Sequence, residues 1–195
     1  MAAARIKLLT PEQIADRLND RFQLLTNGSR TAPTRHQTLQ AVMDWSYDLL
    51  NEKEQRLFRS LAVFSGSWGL DASESICSAN GHLEKSEILD LLSKLVDKSL
   101  VIREGDQNGR SRYRMLETIR QYAREKLFEA GEGDLVRERL LAYFLTLAEK
   151  AEPELRGPQQ VAWLNRLERE VDNIRGPLEW AVEDQAEVAL RMASA

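Results

Sequence analysis

Apolar residues recur along most of this chain three or four positions apart, in short blocks divided by Gly, Pro and Asn, which is the spacing of amphipathic helices. Leu9-Thr10-Pro11-Glu12-Gln13-Ile14 marks a helix start: Thr10 caps, Pro11 suits the first helical position, Gln13 closes a capping box, and Leu9 meets Ile14 as a staple. That helix runs through Leu18, Phe22 and Leu25 and stops at Asn27-Gly28, and residues 29–35, with Pro33, read as a linker. Leu39, Met43, Trp45 and Leu50 predict a helix over 36–50. Asn51-x-x-Glu54 has capping-box form and opens another, with Leu57, Phe58, Leu61 and Phe64 on one side.

Ser65-Gly66-Ser67-Trp68-Gly69 reads as a turn, and Asp71-x-x-Glu74 starts a short helix ending near Asn80-Gly81. Ile88, Leu91, Leu92, Leu95 and Val96 predict a strong amphipathic helix over 85–97. Leu100-Val101-Ile102 and residues 111–115 are β-prone runs around the turn-rich Gly105-Asp106-Gln107-Asn108-Gly109, so they read as a hairpin. Leu116, Ile119, Ala123 and Leu127 begin another helix, ending at Gly131-Glu132-Gly133. The order helix, helix, helix, hairpin, helix is that of a winged helix.

Beyond it only helices are expected: one through Leu140, Leu141, Phe144 and Leu147, one through Val161, Leu164, Leu167 and Val171, and one through Leu178, Trp180 and Val182. Pro153 and Gly157-Pro158 separate the first two, and Pro177 suits the start of the third. Short paired helices suggest a solenoid, too brief to show a repeat period. The chain stops as a further helix (Val188, Leu190, Met192) begins, which suggests a fragment. The expected class is mainly α, with one small β-hairpin.

Composition narrows the function classes. The 195 residues are 43% hydrophobic and 30% charged, as in a folded domain, and the net charge of −4 gives no bulk attraction to nucleic acid or acidic lipid. One cysteine, Cys77, cannot pair internally, which fits a reducing compartment. With no signal-type or membrane-spanning run, a cytoplasmic protein with no membrane partner is expected.

Catalytic chemistry is hard to find. No Gly precedes Lys, so there is no P-loop, and no G-x-S-x-G occurs. His36, His82 and Cys77 are too few and too scattered for a zinc site, so no metal is expected. His36 reads as a helix-start residue, with a ligand or phosphate contact as the rival, His82 as surface and Cys77 as a small core residue. The acid pairs Glu52/Glu54 and Glu168/Glu170 read as solvated helix faces. No catalytic residue is assigned.

In a DNA-reading winged helix the third helix enters the major groove. Here its polar positions carry Glu84, Glu87, Asp90 and Asp97 against Lys85 and Lys94, an acidic face that disfavours readout of a polyanion. The wing argues the other way. Arg110, Arg112 and Arg114 alternate and share one strand face, with Tyr113 and Met115 on the other. That arginine face either lies in solvent, guarding an edge strand, or contacts a phosphate or an acidic partner.

Several segments together resemble a known family. Arg35-His36-Gln37-Thr38-Leu39-Gln40-Ala41-Val42-Met43-Asp44-Trp45-Ser46-Tyr47-Asp48-Leu49-Leu50 resembles the start of the winged helix that follows the nucleotide-binding core in STAND-class (NB-ARC-type) signalling ATPases, and in bacterial transcriptional regulators of that class. Leu95-Val96-Asp97-Lys98-Ser99-Leu100-Val101 and Tyr113-Arg114-Met115-Leu116-Glu117-Thr118-Ile119-Arg120-Gln121-Tyr122-Ala123 are similar to the same group. So are Ala151-Glu152-Pro153-Glu154-Leu155-Arg156-Gly157 and Glu170-Val171-Asp172-Asn173-Ile174-Arg175, at the start of its tetratricopeptide-like sensor region.

The resemblance implies the end of a helical lid over 1–30, a winged helix over 31–131 and the start of a tetratricopeptide-like region over 132–195. It also implies partners: an ATPase core in cis and an effector protein at the C-terminal helices. Relatives carry Met-His-Asp after the wing, the His touching the ADP β-phosphate. Met115-Leu116-Glu117 occupies those positions here, and Leu116 cannot make that bond. ADP or ATP is therefore implied only for a full-length relative, and no cofactor is expected in this chain. The expected function is a non-catalytic regulatory segment coupling such a core to a sensor. The rivals are a DNA-binding winged-helix transcription factor and a helical protein-binding scaffold.

Overall fold

A computed structural model describes residues 34–78, 83–105 and 111–184. Along it run α1 (Thr34–Asp48), α2 (Glu52–Leu61), β1 (Trp68–Gly69), α3 (Leu70–Cys77), α4 (Lys85–Asp97), β2 (Ile102–Glu104), β3 (Arg112–Arg114), α5 (Glu117–Glu129), α6 (Gly133–Glu154) and α7 (Gln160–Asp184). The helix expected before Asn27, the lid segment 1–30, His82, Arg110, the side chains of His36 and Trp180, and the further helix near Val188 lie outside the described residues.

α2 begins with the reciprocal cap its sequence spells. The Glu54 N–H donates to Asn51 Oδ1 at 3.0 Å, and the Asn51 N–H donates to Glu54 Oε2 at 3.1 Å. Leu57, Phe58 and Leu61 of α2 then meet Ile88, Leu92 and Leu95 of α4, all essentially inaccessible. Tyr122, Ala123 and Leu127 of α5 close the other side, and Phe144, Leu140 and Val136 of α6 extend the same core under α3. Each Leu, Ile or Phe buried this way contributes roughly 1.5–3 kcal/mol.

α4 ends on an unusual residue. Ser99 has φ 59°, its N–H donates to the Val96 carbonyl at 2.9 Å, and the Leu100 N–H donates to the Leu95 carbonyl at 3.0 Å. This double closure normally takes glycine at the left-handed position. A serine there keeps the stop at a cost of about 1 kcal/mol.

The sheet is larger than the expected hairpin. Its order is β1-β3-β2, all antiparallel, with Trp68 opposite Tyr113 and Arg103 opposite Tyr113 on the other side. The stretch read as a plain turn therefore supplies a strand. Two residues are too few for a period-two pattern to register, and the pairing is fixed instead by Trp68, fully buried and stacked on Phe64 with centroids 4.9 Å apart.

Three further expectations change. Trp45 is 66% exposed, so α1 packs through Met43 and Tyr47 instead. Glu54 and Glu170 are buried, not on solvated faces. α7 is a single helix through Pro177, whose buried ring offsets the lost backbone bond, so no separate helix starts there.

Candidate functional site

The most elaborate polar arrangement lies where the sheet meets α7. Asn173 is 1% exposed and uses its whole amide. Its Oδ1 accepts from the N–H groups of Ser65 and Gly66 at 3.0 and 2.9 Å, while Nδ2 donates to the Ser67 carbonyl at 2.7 Å and to Glu170 Oε2 at 3.0 Å. The loop entering β1 is thus read backbone group by backbone group. Gly66 comes so close that an added Cβ would lie 3.1 Å from Asp172 Cβ.

Arg112 completes this joint from β3. Its Nη1 donates to Glu170 Oε1 at 2.5 Å, Nε to Ser67 Oγ at 2.9 Å and Nη2 to the Ser67 carbonyl at 2.5 Å. Glu170 is 7% exposed, and its two oxygens are divided between Arg112 and Asn173. A carboxylate so enclosed is tolerable only because its charge is paired and both oxygens are bonded.

The expected arginine face therefore divides. Arg112 turns inward and is consumed by the joint, Arg114 pairs with Glu104 at 2.9 Å across β2, and Arg110 lies outside the described residues. Tyr113 and Met115 are buried on the opposite face. Leu116 stands at the N-cap of α5 with 44% exposure, and Glu117 is held by Arg120, whose Nη2 donates to Oε1 at 2.7 Å. Cys77 is buried and its thiol is pushed up to about 12 by that burial, which keeps it an unreactive core group.

α4 shows its outer face through Glu84, Lys85, Ser86, Leu89, Asp90, Ser93, Lys94 and Asp97. Carboxylates answer nearby cations there: Lys85 lies 3.4 Å from Glu74, and Lys53 of α2 lies 2.5 Å from Glu87. Leu89 also lines a groove of about 1450 Å³ with Tyr113, Tyr143, Trp163 and Arg166 on its other walls. At Leu89 the α4 face thus borders the same groove as α7. Among the described residues no three His, Cys, Asp or Glu side chains are placed to hold a metal ion, and no helix is long and apolar enough to cross a membrane.

Residues 50–128 match the family described as "Winged helix-turn-helix domain". The chain contains a winged helix. Its three core helices are α2, α3 and α4, its wing is β2–β3, and α5 follows. The Mycobacterium tuberculosis protein named "Putative HTH-type transcriptional regulator Rv0890c" is 44% identical over 194 residues, which are 99% of this chain but 22% of that protein. The Mycobacterium bovis protein named "Putative HTH-type transcriptional regulator Mb0914c" gives the same figures. A shorter M. tuberculosis relative, "Uncharacterized protein Rv0894", is 41% identical over 136 residues, 70% of this chain and 34% of its own. The chain thus spans about a fifth of the regulators that it matches along nearly its whole length. No solved structure matches it.

Residues Ser67, Glu170 and Asn173 were not singled out as a site from sequence. Both segments that meet in the joint were visible, one as a turn and one as a family-like motif. Nothing in either says that they touch.

Proposed function

We propose that this chain is a control segment of a transcriptional regulator, in which the winged helix is locked to the helices that follow it and the two move as one body. The observation that supports it is the joint of Arg112, Glu170 and Asn173, which consumes the inner arginine of the wing and reads the backbone of residues 65–67. A wing bound into such a joint transmits the position of α6 and α7 to the winged helix. The NB-ARC-type resemblance extends this reading to a longer protein, with an ATPase core in cis on one side and an effector-binding helical region on the other. Leu116, facing solvent at the nucleotide-sensing position, makes any control by such a core one of shape.

Direct contact with duplex DNA is the second reading, favoured by the winged helix-turn-helix match and by the names of the relatives. It would use the outer face of α4 and the β2–β3 loop. Fluorescence anisotropy with a labelled duplex pool at low salt separates the two. The first reading expects no binding tighter than the roughly 10⁻⁴–10⁻⁶ M of non-specific association. Tighter binding that falls with salt and with Lys85→Ala and Lys94→Ala would replace it with the second.

A further inference from the structure

α1 carries an apolar row on the side it turns away from the core. Val42, Trp45 and Leu49 are 57%, 66% and 59% exposed and follow one another at three and four positions. The Leu49 N–H donates to the Trp45 carbonyl at 3.2 Å, so the row keeps its helical spacing to the end. The opposite side is committed inward. Met43 and Tyr47 pack on the core, and the Tyr122 hydroxyl donates to Asp44 Oδ1 at 2.7 Å. α1 is thereby held with its row facing outward. Single exposed apolar residues are ordinary on a surface, but three in line on one helix have the form of a packing face.

A matching row lies earlier in the chain, outside the described residues. The stretch that the sequence marks as a helix, from Thr10-Pro11 to Asn27-Gly28, carries Ile14, Leu18, Phe22 and Leu25 at steps of four, four and three. Residues 27–33 then lead into α1, a connection within the roughly two to eight residues usual between packed antiparallel helices. Followed in that direction, Ile14 falls beside Leu49, Leu18 beside Trp45 and Phe22 beside Val42, both rows advancing about 1.5 Å per residue. Charge agrees with this register. On the helix that its pattern predicts, Arg17 and Arg21 border the apolar row on one edge, while Glu12, Asp16 and Asp20 lie away from it. In an antiparallel pair that basic edge meets the edge of α1 that carries Asp48, which is exposed.

We infer that residues 10–26 fold back antiparallel on α1 as an amphipathic helix and cover Val42, Trp45 and Leu49. The short connection holds the segment near α1 at a roughly millimolar effective concentration, an advantage that no separate partner has. A second copy of the chain suits the face less well, because two α1 helices packed antiparallel would set the edges bearing Asp44 and Asp48 on the same side. The paired helices bury the α1 row and make residues 10–26 part of the same body as the winged helix. This surface is separate from the wing joint and stands or falls independently of the regulatory reading.

Cysteine cross-linking in the full chain tests it, since burial keeps the Cys77 thiol out of the reaction. Leu18→Cys combined with Trp45→Cys should close an intramolecular disulfide under mild oxidation, read as a reducible mobility shift at monomer mass. Leu18→Cys combined with Val161→Cys, at a site 68% exposed on α7, should not. Melting of uncross-linked variants gives a second reading. Trp45→Ala and Phe22→Ala should each lower Tm by at least about 4 °C, and the double variant by little more than the larger single loss. An uncovered Trp45 would change Tm by less than about 2 °C, and that result would overturn the inference. So would equal cross-linking of the two cysteine pairs. Disulfide-linked dimers in place of the intramolecular bond, with twice the chain mass in sedimentation, would give the face to a second copy and overturn it as well.

Discussion

The apolar centre of the winged helix and the polar joint beside it solve different problems. Between α2, α4 and α5 the contacts are almost all hydrocarbon, and Leu57, Phe58, Ile88, Leu92 and Leu95 are sealed from water. Such a core stabilises strongly but orients loosely, because dispersion and burial have little direction. Between the sheet and α7 the reverse holds. Arg112, Glu170 and Asn173 gain modest net stability for their burial, yet each bond fixes a direction, and a shift of about 1 Å would strand a charge or an amide. The first region makes the domain fold, and the second sets where the wing sits relative to α7.

This contrast can be broken at either end. Phe58→Ala should do the most damage, about 3–5 kcal/mol by urea denaturation, with the wing joint lost only when the whole domain unfolds. Glu170→Ala comes next, at about 3 kcal/mol, because it leaves the Arg112 guanidinium without its carboxylate. Its loss should loosen residues 65–69 and the middle of α7 in hydrogen exchange, while α2 and α4 stay protected.

A smaller effect is expected at Glu54, which joins the two kinds of contact by capping α2 and pairing with Lys98 at 2.7 Å. Burial alone would raise its pKa, but the Lys98 ammonium and the Asn51 N–H outweigh this and hold it below the ordinary 4.5. The folded pKa lies below the unfolded one, so its stabilisation is fully present above pH 4.5 or so and is lost as pH falls through the folded value. Glu54→Gln should cost about 1–2 kcal/mol at neutral pH and make the acid decline shallower. Ser99→Gly should be the mildest change and opposite in sign, stabilising by about 0.5–1 kcal/mol, since glycine suits the φ of 59° at the end of α4.

The same contrast governs how much could be read in advance. The helices of the core were legible because their apolar residues follow a 3.6-residue period: α4 runs from Lys85 to Asp97 as its pattern predicts, and Leu140, Leu141, Phe144 and Leu147 of α6 are all buried. α7 misleads for the opposite reason. Its apolar residues Val161, Leu164 and Val171 are exposed, while the face turned inward carries Trp163, Leu167, Glu170, Asn173 and Ile174. A hydrophobic period cannot reveal a helix whose central contacts are a carboxylate and an amide. Arg112 was recognised as one of an alternating set, but alternation assigns a strand face without saying what covers it. Its partner lies 58 positions away in sequence, and only the fold brings the two together.

The locked wing is tested most directly by a double-mutant cycle between Arg112 and Glu170, with Arg112→Ala, Glu170→Ala and the double variant compared by urea denaturation. A coupling of at least about 1.5 kcal/mol is expected, because either single change already removes the contact and the second costs little more. Costs that add to within about 0.5 kcal/mol would mean that the pair does not hold the wing to α7 in solution, and the reading of one moving body would fail.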